Sequence, residues 1–267
     1  VYEYRVQMEE SKTTQEPSTT HFGSSVRATR LSNILDRKLI FVHGKGGVGK
    51  TVVSKALAQA AAASGKRTLW VEFENPLRPP GELFQEKPNL WNLNCESSSA
   101  FEEYIGLKLK IPGLTKIFLQ NKLMRYLSKA APGLHELVLI GKVWFERTHY
   151  DQVVVDMLST GYSLAMFQST QNFAELFGGG PLSRDAEAMM ETFRDPKLSG
   201  HLIVSLPEEM PLRESLELGE ILSRFFPNNP SAFLVNRCFP KLNDENSLDA
   251  VKISDTPELW TSPIPSS

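Results

Sequence analysis

The sequence predicts an α/β fold, doubly wound around a mostly parallel sheet and carrying a helical insert. Three observations lead there. An apolar run, Leu39-Ile40-Phe41-Val42, enters a glycine-rich turn and leaves it as an alanine-rich stretch over residues 52–63, the strand, turn and helix of a parallel unit. Short apolar runs at 68–74, 152–156, 201–206 and 231–236 alternate with stretches of helical period, so the unit repeats. Between about 88 and 150, apolar residues recur at helical spacing without a strand between them, which reads as the insert.

At 267 residues and 41% hydrophobic, the chain suffices for one sizeable core with decorations and is short for two full domains. Residues 1–34 mix polar and charged side chains without periodicity and read as a disordered arm. Residues 35–240 form the predicted domain, and 241–267 an irregular tail. The chain opens on Val1 and not on Met, the pattern of a fragment. A net charge of −2 gives no reason to expect a nucleic acid partner. Cys95 and Cys238 stand in no C-x-x-C pattern, against a disulfide framework or a cysteine-based metal site and in keeping with a reducing cytoplasm. No apolar run reaches the length of an integral membrane segment. The five histidines never fall at ligand spacing, so no zinc site is expected.

Element by element, the first strand delivers Gly44-Lys45-Gly46-Gly47-Val48-Gly49-Lys50-Thr51, every fixed position of the phosphate-loop pattern G-x-x-x-x-G-K-[ST]. Glycines let backbone N–H groups converge on one point, and the helix N-terminus adds partial positive charge there. Lys50 is expected to reach the β- and γ-phosphates of a bound polyphosphate, and the Thr51 hydroxyl to bind Mg²⁺. The second strand, 68–74, ends on Glu74 at the carboxyl edge where ligands of open parallel sheets bind. Glu74 is the candidate for orienting the attacking water, with Glu72 second. Asn75-Pro76 and Pro79-Pro80-Gly81 follow as a stiff loop.

In the insert, Ser99-Ala100-Phe101-Glu102 has the form of a capping box. Helices are expected from there, over 114–130, and over 134–148 after Pro132-Gly133. Met124 and the aromatic residues of these helices are candidates for lining an apolar groove. Gln152-Val153-Val154-Val155-Asp156 is a buried strand ending in the acid that holds the Mg²⁺ shell of a phosphate-loop NTPase, so Asp156 is the metal candidate beside Thr51. Leu158-Ser159-Thr160-Gly161-Tyr162 reads as a flexible second switch loop. A helix at 183–193, a strand at 201–206 stopped by Pro207, a helix at 212–225 and a strand ending on Asn236 complete the pattern. Asn236 is a candidate for the adenine edge, since an amide both gives and accepts hydrogen bonds.

Lys45 turns the loop into Lys-Gly-Gly-Val-Gly-Lys-Thr, which resembles the deviant phosphate loop of the MinD/ParA and arsenite-pump ATPases. With Pro132-Gly133-Leu134-His135-Glu136-Leu137, Asp156-Met157-Leu158-Ser159-Thr160-Gly161-Tyr162, Leu206-Pro207-Glu208-Glu209-Met210-Pro211 and Val235-Asn236-Arg237, the chain is similar to the ArsA-type, anion-transporting ATPases, above all their single-domain bacterial members. The resemblance implies a cytoplasmic, Mg²⁺-dependent ATPase working as a homodimer, or as a heterodimer with a related ATPase. In that dimer Lys45 reaches the partner's nucleotide, as an arginine finger does elsewhere, and the cycle switches the binding of a protein cargo. Val52, Glu74 and Tyr162 depart from residues common in that family. They leave open a non-hydrolysing, nucleotide-dependent scaffold that recruits protein partners.

Overall fold

The structure is a computed structural model describing residues 20–22, 26–109, 133–176, 180–229 and 231–238. Among them are nine strands: β1 (Thr20–Phe22), β2 (Val26–Thr29), β3 (Leu39–His43), β4 (Thr68–Phe73), β5 (Leu83–Lys87), β6 (Leu90–Cys95), β7 (Gln152–Asp156), β8 (Ser199–Ser205) and β9 (Ser231–Val235). They make one sheet in the order β1-β2-β9-β8-β3-β7-β4-β6-β5. The seven inner strands run parallel, and β1 and β5 close the edges antiparallel.

Six α-helices are described: α1 (Lys50–Ala63), α2 (Ser97–Leu109), α3 (Leu134–Glu146), α4 (Thr160–Leu176), α5 (Pro181–Arg194) and α6 (Glu209–Phe225). Every residue of β3, β4 and β8 is buried, because helices cover both sheet faces. Alternation along β3 splits its side chains between two cores. Leu39 and Phe41 join Phe101, Leu137, Ile140, Phe167, Phe193 and Leu222 from α2 through α6. Ile40 and Val42 join Ala58 and Ala62 of α1. In the α1 layer the indole N–H of buried Trp70 donates to Ser54 Oγ at 3.1 Å, which supplies the polar partner a buried tryptophan needs. The doubly wound, mostly parallel α/β architecture is thus present.

Four boundaries differ from the sequence reading. Residues 20–22 and 26–29, expected inside a disordered arm, are strands, because β2 extends the sheet beside β9; residues 1–19 lie outside the described set. The insert does not begin at about 88, since residues 90–95 are β6, paired parallel to β4 over its whole length. Asn92 and Asn94 disguised this strand: both are buried, and their amides are consumed by Glu72, Asn75, Arg78 and the Trp70 carbonyl. The next helix begins at Ser97, not at the predicted Ser99 box. Glu96 caps it by accepting from the Ser99 N–H at 3.1 Å, as an N-cap acceptor does. Finally, Thr160-Gly161-Tyr162 forms the first turn of α4 and not a loop, with Ser163 N–H bonded to Ser159 O at 3.0 Å. The helix expected at 114–130, with Met124, lies outside the described residues.

Smaller shifts follow helix-start rules. Pro181 occupies the start of α5, where proline's fixed φ suits the first turn. Pro211 lies in the first turn of α6, where its missing N–H is harmless, so that helix starts at 209 and not at 212. The chain divides into a compact unit through Asn236 and a second from Arg237 to Ser267, of which 237–238 are described. Among the described residues, no helix is long and apolar enough to cross a membrane.

Candidate functional site

The phosphate loop leaves β3 and turns into α1 without a spare residue. Gly44 has φ 144° and Gly49 φ 95°, conformations that side chains disfavour. Space is equally decisive: a Cβ on Gly44 would stand 2.4 Å from the Val204 carbonyl oxygen, and one on Gly49 2.4 Å from Asn236 Nδ2. Val48 is buried in the α1-side core and anchors the loop. Lys45, Gly46 and Gly47 form its exposed crest. Lys50 opens α1, and its ammonium donates to the Lys45 carbonyl at 2.9 Å, curling over the crest. Burial lowers the Lys50 pKa, and neighbouring Asp156 opposes that shift.

β7 lies beside β3, with Val42 paired to Asp156, so the predicted metal acid arrives level with the loop. Thr51 Oγ1 donates to Asp156 Oδ2 at 2.6 Å. Asp156 Oδ1 is buried and without a hydrogen-bond partner. Burial pushes the Asp156 pKa up to about 6; Thr51 and Lys50 pull it down, and Glu72 adds to the rise. A desolvated carboxylate with one orphaned oxygen, beside a hydroxyl and an ammonium, is short of positive charge. Among the described residues no group of three or more His, Cys, Asp or Glu gathers as a metal cage. One carboxylate plus one hydroxyl next to a phosphate cradle suits Mg²⁺, which keeps waters and shares phosphate oxygens.

Val71 of β4 pairs with Val155 of β7, so β4 brings its carboxyl end to the same edge. Glu74 stands just past it with φ 49°, a left-handed conformation costing a non-glycine residue on the order of 1–3 kcal/mol. It is pinned there by its N–H on the Cys95 carbonyl at 2.9 Å and by the Ser97 N–H on its Oε1 at 3.1 Å. His135 Nε2, in the first turn of α3, is 3.7 Å from the same oxygen. Tyr162 faces this corner; burial, Glu136 and Glu74 push its pKa up to about 12. Glu72, the second candidate, is already engaged: it is buried, 2.9 Å from Arg78 Nε, and accepts from Asn75 Nδ2 and Asn92 Nδ2 at 3.0 Å each. The left-handed turn takes Glu74 out of the pleat to which Glu72 belongs.

Two contacts close the site from the far side of the sheet. Asn236, just past β9, donates through Nδ2 to the Val48 carbonyl at 2.9 Å, while its N–H bonds to Ser205 O at 2.8 Å. Lys45 Nζ lies 2.6 Å from Glu214 Oε1 on α6. Sequence reasoning missed Ser97 and Glu214, and no local signal marks either. It also missed the buried pair beneath the loop, where His43 Nε2 and His201 Nδ1 are 3.1 Å apart. Burial holds His201 at a pKa of about 3 and His43 well below the ordinary value. His201 stacks on Phe41, Phe226 and His43. Away from the loop, Trp144 and Phe145 line a cavity of about 190 Å³ between α2, α3 and α5.

The chain has relatives among known proteins. The chain is 30% identical over 230 residues to the ATPase BagA of Mycobacterium tuberculosis, a match covering 78% of the chain and 66% of BagA. It is 26% identical over 246 residues to the ATPase ARSA2 of Chlamydomonas reinhardtii, covering 73% and 67% respectively. The chain thus spans a little under two thirds of BagA. A family model described as anion-transporting ATPase matches residues 37–178, which takes in the phosphate loop, Glu74 and Asp156. A match over more than half of its length makes this chain a member of the anion-transporting ATPase family.

Proposed function

We propose that the protein is a Mg²⁺-dependent ATPase that dimerises around ATP and uses binding and hydrolysis to switch its hold on a protein cargo. The observation that carries this reading is the Thr51–Asp156 pair, a hydroxyl and a desolvated carboxylate 2.6 Å apart beside the ammonium of Lys50 and an exposed loop of backbone N–H groups. Lys50 and the start of α1 would hold the phosphates. Thr51 and Asp156 would hold Mg²⁺, whose charge offsets that of the β- and γ-oxygens. Glu74, pinned at the carboxyl edge, would orient water for in-line attack. Asn236 would contact the adenine as well as the loop. Lys45, on the exposed crest, would reach a second subunit's phosphates, whether that subunit is a copy or a related ATPase.

Calorimetric titration of ATP with and without Mg²⁺, followed by single-turnover phosphate release, tests the reading. Micromolar Mg²⁺-dependent binding and measurable turnover, both abolished in Lys50→Ala, are expected. The exposed Val52 beside the loop, 72% accessible, and the glutamate at 74 keep a scaffold reading in play. Tight ATP binding with no phosphate release would favour that non-hydrolysing scaffold.

A further inference from the structure

We propose that Glu214 is the positioning residue of Lys45: it holds the lysine against α6 of its own chain and gives it up only when a nucleotide-bound second subunit competes for it. The inference rests on the dimeric reading above and adds its control. The contact is a short charge-assisted hydrogen bond, Lys45 Nζ to Glu214 Oε1 at 2.6 Å, between two partly exposed ionised groups. The two residues are 169 positions apart, so the fold builds the pair; neighbouring sequence does not. α6 follows β8, whose Val204 carbonyl closes on Gly44. The helix is thereby fixed relative to the loop that it reaches.

The chemistry sets the direction of the effect. Lys45 and Glu214 are respectively 53% and 35% exposed, so an incoming subunit has access to the ammonium. Lys45 can serve only one anion fully. While Glu214 holds it, the ammonium lies on its own subunit, and a carboxylate stands near the face that a second subunit's phosphates must approach. Docking therefore requires exchange of a carboxylate for a phosphate on Lys45, and the carboxylate raises the nucleotide concentration needed for dimerisation. An exposed pair contributes modestly, so the shift should be about two- to five-fold.

The test is light scattering of the full chain titrated with Mg²⁺ and a non-hydrolysable ATP analogue, with single-turnover hydrolysis in parallel, on the parent, Glu214→Gln, Glu214→Asp, Lys45→Ala and the double variant. Glu214→Gln should dimerise at an analogue concentration about two- to five-fold lower, an advantage that shrinks in high salt. Glu214→Asp should return towards the parent. In the Lys45→Ala background, Glu214→Gln should change nothing, which a general effect on folding or surface charge would not reproduce. If Lys45→Ala loses turnover while Glu214→Gln behaves as the parent, or its shift persists without Lys45, the Glu214 assignment is overturned and the dimeric reading stands. If the parent remains monomeric with analogue bound, or Lys45→Ala turns over normally, both fall.

Discussion

The side-chain amide of Asn236 donates to the main-chain carbonyl of Val48 at 2.9 Å, tying the last described strand to the phosphate loop 188 residues earlier. Asn236 is therefore a clamp on the loop whatever else it touches. Asn236→Ala removes the hydrogen bond to the Val48 carbonyl and should weaken ATP binding about two- to ten-fold. Gly49→Ala should do more, since the new methyl meets Asn236 Nδ2 at 2.4 Å in a backbone conformation disfavoured for alanine. Calorimetry on both variants checks the ranking; equal losses would mean that the clamp and the glycine act through something other than loop shape.

Lys50 is the ammonium directed across the loop crest, through its bond to the Lys45 carbonyl. Lys50→Ala should abolish measurable ATP binding while leaving the melting temperature close to that of the parent, because the bond lost to the Lys45 carbonyl is offset by removal of a partly desolvated ammonium. Binding undiminished in this variant would remove the central claim about the site.

Glu74 and Glu72 should separate chemistry from stability. Glu74→Gln keeps the Ser97 contact and the Mg²⁺ residues, so ATP should still bind while hydrolysis slows by about a hundred-fold or more. Glu72→Gln breaks a buried ion pair with Arg78 and should cost on the order of 1–3 kcal/mol of stability. Its turnover per folded molecule should remain near that of the parent. Rapid-quench hydrolysis and thermal melts on the two variants decide the matter, and a reversal of the pattern would transfer the water-orienting role to Glu72.

Asp156 yields a pH-dependent prediction with a definite sign. Its pKa is raised from an ordinary 3.8 to about 6 in the folded chain, so between those values the folded state binds the extra proton. Stability from this group is therefore greatest below about pH 4, falls as pH rises to 6, and stays low above it. In Mg²⁺-free buffer at pH 7.5, Asp156→Asn should be more stable than the parent, by on the order of 3 kcal/mol, and the difference should close near pH 4. The same carboxylate must be ionised to hold Mg²⁺, so Mg²⁺-dependent ATP binding by the parent should weaken as pH drops through 6. Melting curves across pH, with and without Mg²⁺-ATP, test both halves; a less stable Asp156→Asn at pH 7.5 would contradict the burial argument.

What the sequence determined by itself is the local machinery: the strand running into Gly44, the helix leaving at Lys50, the acid closing β7 and the parallel α/β plan. These are legible because each depends on neighbouring residues, through backbone conformation and the period of apolar side chains. Tertiary structure alone decided the rest. β6 was hidden because Asn92 and Asn94 look like loop residues until distant partners satisfy their amides. The left-handed turn at Glu74 is held by Cys95 and Ser97 from the adjoining strand end and helix start. Lys45 meets Glu214, and Val48 meets Asn236, because strand order sets β8 beside β3 and β9 beside β8. Such partners are chosen by the sheet order, and local periodicity carries no trace of which distant side chain that order brings within hydrogen-bonding reach.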